Sequence, residues 1–338
     1  MFRLTLALCS VFAVLYAGYW VVGWISLPKG IEAWAEERRD EGWQVEWSDL
    51  NVVGFPSRFD TTLTEPLISD PQTGWAWQAP FFQLLALSYK PNHLIAVWPG
   101  AHQLATPTAR YQISHTEAQA SLVFSNGTDL RIERANLVVD DLEITQAQSR
   151  QAQSSQASDS LRFAIRPNAA TDLSYDVGLT VAGFSPSSAT LRQLDPAGVL
   201  PTSVETLHLQ ATVGFDAPWD RFALEDQRPQ PTSLKLGTAQ ATWGGLDLRI
   251  AADLDIDTFG QASGEITVQA TNWREIVTLS TNAGVIPDSF VPLLEGALSS
   301  LAELSGPPNT LDVPITVSQG RLRLGLIPLG TLPPLQLR

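Results

Sequence analysis

Three aspartates, Asp253, Asp255 and Asp257, alternate along "DLDID". Carboxylates in such numbers are the raw material of a calcium site or of acid–base catalysis. On an extended chain, side chains two apart stand about 6 to 7 Å from each other, too wide for three to share one ion without other ligands. They read as the wet face of a strand, which suits a formal net charge of −14. The four histidines, His93, His102, His115 and His208, show no i,i+4 zinc-helix pair and no acidic partner completing a ligand set. Each reads as an ordinary surface or turn histidine, His208 on the polar face of a strand. "GFSPS" (183–187) is one residue short of a nucleophile elbow: Ser187 stands where the second glycine belongs, and the strand-turn-helix context is missing. No glycine-rich phosphate loop is present, and "WGGLD" is followed by a strand, so no helix N-terminus awaits a phosphate. Asn126 in "NGT" matches a glycosylation acceptor and reads more simply as an Asn-Gly hairpin turn. Cys9 is the only cysteine, so the body has no disulfide, thiolate metal site or cysteine nucleophile. The residues therefore assign no catalytic side chain, no metal and no cofactor, and the protein reads as non-enzymatic.

What the sequence does carry is a pattern of period two. In "LDLRIAADLDID", Leu246, Leu248, Ile250, Leu254 and Ile256 point one way and the charged residues the other. After a turn at "TFGQASG", Ile266 and Val268 continue the apolar face, and in "ETLHLQATV" Leu207 and Leu209 repeat it. These nine are the candidate lipid-contact residues. "DLSYDVGLTV", "EAQASLVF" and "RLRLG" follow the same rule. Strands of about ten residues, near 33 Å at roughly 3.3 Å each, exceed the usual five or six. Helical periodicity returns only near 272–282 and 287–304. The expected fold is mainly β (α+β): one N-terminal transmembrane helix, then a long, curled antiparallel sheet with a few covering helices. Alternation alone leaves half-barrel, trough and sandwich open. The expected divisions are an anchor at 1–28, a juxtamembrane helix at 29–42, a first β-rich half at 43–145, a low-complexity Gln/Ser/Ala loop or weak edge strand at 146–160, and a second half at 161–338.

The anchor itself is "LTLALCSVFAVLYAGYWVVGWISL", Leu4 to Leu27, without one charge. As a helix it covers roughly 36 Å, enough for a bilayer core of about 30 Å. A cleaved secretory peptide has a shorter apolar region and small residues at its cleavage site, whereas bulky rings stand here. Trp20 and Trp24 are the candidate interface residues, and Pro28 to Gly30 end the span. Leu8 before Cys9 argues against lipidation. The expected placement is single-pass in the inner (cytoplasmic) membrane with the body in the periplasm, membrane lipid as partner and a second envelope protein as a further one. The acidic balance makes nucleic acid a poor partner.

"VVGFPSRFD" and "SQGRLRLGLIPLGTLPPL" carry a resemblance. With Gly54, Phe55, Pro56, Arg58 and Phe59 in a turn, and Gly320 to Gly330 in a closing segment, the chain resembles the bacterial family catalogued as domain of unknown function 2125. It is more distantly similar to AsmA-like envelope proteins. The resemblance supplies no catalytic residues. It implies an anchored envelope protein and, by analogy of fold, a sheet that handles lipid. The alternative is an envelope scaffold that binds a partner through a sheet edge, over a closed, lipid-free core.

Overall fold

The computed structural model describes residues 2–149, 152–225, 228–305, 307 and 309–337. It opens with α1 (Phe2–Asp40), a single helix that runs on through Pro28 where the sequence suggests a break. Pro28 has no N–H to donate and would ordinarily end or kink a helix. Here the turns beyond it are held by packing. Ala35 is fully buried, the Arg39 guanidinium donates to the Val45 carbonyl at 2.9 Å and lies 5.5 Å from the Trp47 ring, and Arg38 reaches Glu41 at 2.8 Å.

The chain forms two compact units, Met1–Val123 with Ile144–Gln153, and Phe124–Glu143 with Ser154–Arg338. Residues 124–143 thus belong with the second unit. The first contains α1 and ten strands: β1 (Gln44–Glu46), β2 (Asp49–Val53), β3 (Arg58–Thr64), β4 (Leu67–Asp70), β5 (Trp75–Gln78), β6 (Phe81–Leu87), β7 (Lys90–Val97), β8 (Ala101–Ala105), β9 (Arg110–Ser114) and β10 (Glu117–Phe124). They pair antiparallel in two rows, β2-β3-β6-β7-β10 and β1-β4-β5-β8-β9. α1 packs on β1 and β2. Two long strands, β11 (Ile132–Ser149) and β12 (Ala152–Pro167), run through the Gln/Ser/Ala segment and belong to both units. Of the loop and the weak edge strand expected for this stretch, it is strand that forms, on both sides of 150 and 151, which lie outside the described residues. Polar side chains do not prevent this, because a ladder is held by backbone groups whatever the side chains are.

The second unit is a meander. β12, β13 (Ser174–Phe184), β14 (Val204–Phe215), β15 (Pro231–Trp243), β16 (Leu246–Ile256), β17 (Ala262–Thr271), β18 (Thr310–Ser318), β19 (Arg321–Leu324) and β20 (Ile327–Thr331) pair in chain order, all antiparallel. Among the described residues β20 pairs only with β19, so this sheet is open. The closing motif is its last hairpin: Gly320 and Gly325 take positive φ in the two turns, and Gly330 sits at a bulge opposite Leu322. Among the described residues four α-helices accompany the strands, α2 (Ser188–Leu194), α3 (Phe222–Glu225), α4 (Trp273–Asn282) and α5 (Val291–Ser305), with a 3-10 turn at Asp288–Phe290 leading into the last. The last two match the helical stretches expected from periodicity. Trp273, Val277, Leu298 and Ala302 from α4 and α5 are buried with Ala270, Leu311, Val313 and Leu324 of the sheet. The mainly β fold with an apolar N-terminal helix and few other helices is the one expected.

Candidate functional site

Register turns the period-two pattern into one surface. Leu161, Val181, Leu207, Ala241, Leu248, Ala270 and Leu311 are successive cross-strand partners from β12 to β18. Phe163, Leu179, Leu209, Ala239, Ile250, Val268 and Val313 form the next row. Side chains directly opposite lie on the same face, so seven strands share a continuous apolar face. At one end α4 and α5 cover it. At a corner Leu254, Ala262 and Val317 are buried beneath Leu332 and Leu335, and the Leu335 amide bonds the Gly260 carbonyl at 2.8 Å.

Between these covers lies a groove of about 250 Å³, lined by Leu179, Leu207, Leu209, Ala239, Ala241, Leu248 and Ile250 together with His208 and Gln240. Its shape follows from side-chain size. Ala239 and Ala241 on β15 make a low floor, and leucines and an isoleucine on β14 and β16 make the walls. Strands about 4.8 Å apart set those walls about 9.6 Å from each other, backbone to backbone.

The nine sequence-derived candidates divide accordingly. Leu207, Leu209, Leu248 and Ile250 line the groove. Ile266 and Val268 are half-buried on the same face nearer the helices and tail. Leu246, Leu254 and Ile256 are buried by protein and offer no surface to a ligand. Leu179, Ala239 and Ala241 complete the groove and were not among the candidates; "TAQATW" carries the signal, small residues alternating inside an otherwise bulky pattern.

The opposite face holds a polar hollow of about 590 Å³ over Ala164, Gly178 and Gly237, rimmed by Arg134, Arg166, Asp176 and Lys235. Asn168, Thr212 and Arg166 hold the Asp176 carboxyl below its usual range, the Asn168 hydrogen bond most strongly and against a smaller effect of burial. Arg166 faces Asp176 at 3.5 Å and Lys235 faces Asp253 at 3.3 Å. Exposed, mutually paired charges of this kind leave little field for a ligand.

The second arrangement is the seat of α1 in the first unit. Tyr16, Tyr19, Trp20, Gly23 and Trp24 stand on one face at i, i+3, i+4, i+7 and i+8. The Trp20 indole donates to the Arg58 carbonyl at 2.8 Å and the Trp24 indole to the Val52 carbonyl at 3.0 Å. The Tyr19 hydroxyl donates to the Ser88 carbonyl at 2.7 Å, and the Tyr16 hydroxyl meets the Ser88 hydroxyl at the same distance. Phe59 stacks on Trp20 at 5.7 Å, and Phe55 meets it edge-on at 5.2 Å. Gly54 needs its φ of +109°, and a Cβ there would lie 2.9 Å from Arg58 Cβ. The Gly-Phe-Pro-x-Arg-Phe turn is therefore the socket into which the helix plugs. Trp20 and Trp24, expected at a lipid interface, meet protein carbonyls through their polar edges.

His93 and His208 bond Ser121 and Thr180, each at 3.0 Å. His102 and His115 depart from the reading: both are buried, with ring centres 5.5 Å apart, boxed by Trp77 and Trp98. The β8–β9 register makes them diagonal neighbours, since His102 pairs with Ile113, two residues before His115. Such a pairing is invisible without the register. Burial lowers the pKa of both. Among the described residues no cluster of three metal-ligating side chains occurs. Asp253, Asp255 and Asp257 are exposed, as expected. "GFSPS" does lie in a strand-turn-helix, between β13 and α2, contrary to the sequence reading. Ser187 there is the helix N-cap, accepting from the Thr190 amide at 3.1 Å. The Ser185 backbone is bridged to Ala157.

Fold and sites together define a β-sheet protein with a long apolar N-terminal helix, of the kind that serves as signal anchor or signal peptide, and an apolar groove on its meander. The family model described as "Uncharacterized protein conserved in bacteria (DUF2125)" matches residues 20–333, and the chain belongs to that family. No curated protein matches it.

Proposed function

We propose that this is a non-enzymatic protein of the bacterial envelope, tethered by α1 to the inner membrane with its body in the periplasm, that holds a lipid acyl chain in the groove on its apolar sheet face. The observation that carries the reading is the groove floored by Ala239 and Ala241 and walled by Leu179, Leu207, Leu209, Leu248 and Ile250. A site for a compact organic ligand is usually larger, roughly 300 to 1,000 Å³, and carries convergent polar groups. This one is narrow and almost wholly apolar, which suits a hydrocarbon tail. At roughly 30 Å³ per water-sized group it holds about eight. Methylenes contribute about 0.8 kcal/mol each when fully buried; an open groove half covers them, giving about 3 kcal/mol. That corresponds to millimolar or weaker binding. Such a grip works where lipid is abundant, and a membrane tether supplies that condition.

A photoreactive benzoylphenylalanine at Leu207 or Leu248, in the full chain in intact membranes, tests the reading. Cross-links from these positions to phospholipid support it. Cross-links to protein alone favour the scaffold alternative. That alternative has β20 as its natural edge, but Pro328 removes a backbone donor there and Gly330 interrupts the ladder, both features that discourage strand addition.

A further inference from the structure

The socket of α1 has a consequence for depth in the bilayer, and it rests on the reading of α1 as the membrane span. The uncharged run begins at Leu4, directly after Arg3. With a rise of about 1.5 Å per residue, Trp20 lies about 24 Å and Trp24 about 30 Å along the helix from Leu4. A hydrocarbon core is about 30 Å thick. Trp20 is therefore some 6 Å inside the far boundary, and Trp24 stands at it; tilt carries both deeper. Yet both indoles are bonded to the β2–β3 hairpin, and Tyr16 and Tyr19, deeper still, are bonded to Ser88 at the β6–β7 turn. The hairpin tips must share the level of the helix residues they touch.

The side chains on those tips agree with that level. Val53 is 51 % exposed, Phe55 59 % and Tyr89 62 %, all on the two turns beside α1. Large apolar groups left open on adjacent turns need a covering medium. Two basic residues flank these turns. Arg58 points outward in a pair with Asp60, and Lys90 follows Tyr89 directly. Lys29 lies on α1 five residues past Trp24, about 7.5 Å beyond the boundary at headgroup height. Long basic side chains reach from apolar surroundings to headgroups, and a basic collar suits anionic lipid.

We propose that the β2–β3 and β6–β7 tips form a wedge that enters the outer leaflet of the membrane alongside α1. Val53, Phe55 and Tyr89 lie in the acyl region, Lys29 lies among the headgroups, and the long Arg58 and Lys90 side chains extend toward them. The first unit thus sits on the bilayer at two points, a span and a shallow insertion, and cannot swing freely about its tether. Apolar insertion of about 5 to 10 Å is the depth at which interfacial segments settle.

The native Cys9 makes the test direct. The full chain is labelled with an environment-sensitive fluorophore at Cys9, or, in a Cys9→Ser background, at Phe55→Cys, Tyr89→Cys or Asp49→Cys. Asp49 is exposed at the other end of β2, about 13 Å from Val53. Each form is placed in vesicles of phosphatidylcholine and phosphatidylglycerol with spin labels in the acyl chains or headgroups. The expected result is strong quenching of Cys9 and of positions 55 and 89 by labels in the acyl chains, and none of position 49. Quenching at Cys9 with positions 55 and 89 as dark to the labels as 49 overturns the wedge and leaves the anchor standing. Loss of quenching at Cys9 as well removes the anchor and the wedge with it.

Discussion

Replacing Gly23 by alanine tests whether α1 is seated on the body or merely attached to it. A Cβ at this position would lie 2.8 Å from one edge carbon of the Phe59 ring and closer still to the ring tip. The ring has to move. Phe59 is buried, packed with Val52 and Trp20, and a buried Phe contributes about 1.5 to 3 kcal/mol. Its stack on Trp20 adds about 0.5 to 1.5 kcal/mol. Against this, alanine favours helix over glycine by about 0.8 to 1 kcal/mol. The net expectation is a loss of about 1 to 3 kcal/mol in the docking of helix to hairpin. Gly18 and Gly30 lie on the same helix with nothing within 4 Å of a built Cβ. There the same substitution is neutral or stabilising by up to about 1 kcal/mol. Hydrogen–deuterium exchange of the β2–β3 peptide in the full chain reads the difference. Since 1.4 kcal/mol is a factor of ten, Gly23→Ala speeds exchange there roughly five- to hundredfold, and the other two do not. Equal exchange in all three variants would refute the seat.

Other expectations follow from the same packing. Trp273→Ala removes a side chain 1 % exposed at the centre of the α4–α5 core, and lowers stability by about 3 to 5 kcal/mol, measured from the urea midpoint of the second unit. The buried His102–His115 pair resists protonation, so the unfolded chain binds those protons more readily. Its contribution to stability is full above about pH 6.5 and falls as pH drops below that value. A His102→Phe/His115→Phe variant should lose part of the slope of unfolding free energy with pH below 6.5; an unchanged slope counts against the assignment. Leu248→Asp places a carboxylate in the groove wall at a half-buried position and abolishes lipid cross-linking with the fold intact by circular dichroism, whereas Ile256→Asp buries that charge and unfolds the second unit.

The reach of the sequence reading has a physical explanation. Strands with one wet face announce themselves in Asp247, Arg249, Asp253 and Asp255 alternating with Leu248, Ile250 and Leu254, because period two is a local property. Which of those apolar residues remain accessible is not local. Leu254 is covered by a tail eighty residues later in the chain, and Leu248 and Ile250 stay open because their partners Ala241 and Ala239 are small. The rings of α1 carry a signal in their spacing. Tyr16, Tyr19, Trp20 and Trp24, with Gly23 among them, form a stripe along one face over two turns, whereas a belt would circle the helix at one height. A stripe with a glycine in it is the mark of a helix lying against something. His102 and His115 were out of reach, since thirteen residues separate them and only the hairpin register joins them.

The central claim is that the groove on the apolar face holds an acyl chain, and filling it is the most direct test. Ala239→Leu with Ala241→Leu raises the floor without adding charge. Full-length protein with and without these changes is exposed, in native membranes, to a diazirine-bearing phospholipid, and the labelled peptides are mapped. The account predicts strong labelling of the 207–209 and 248–250 segments in the unaltered protein and its near disappearance in the filled one, with labelling of α1 unchanged. Equal labelling of those segments in both, or labelling confined to α1 in both, would contradict it.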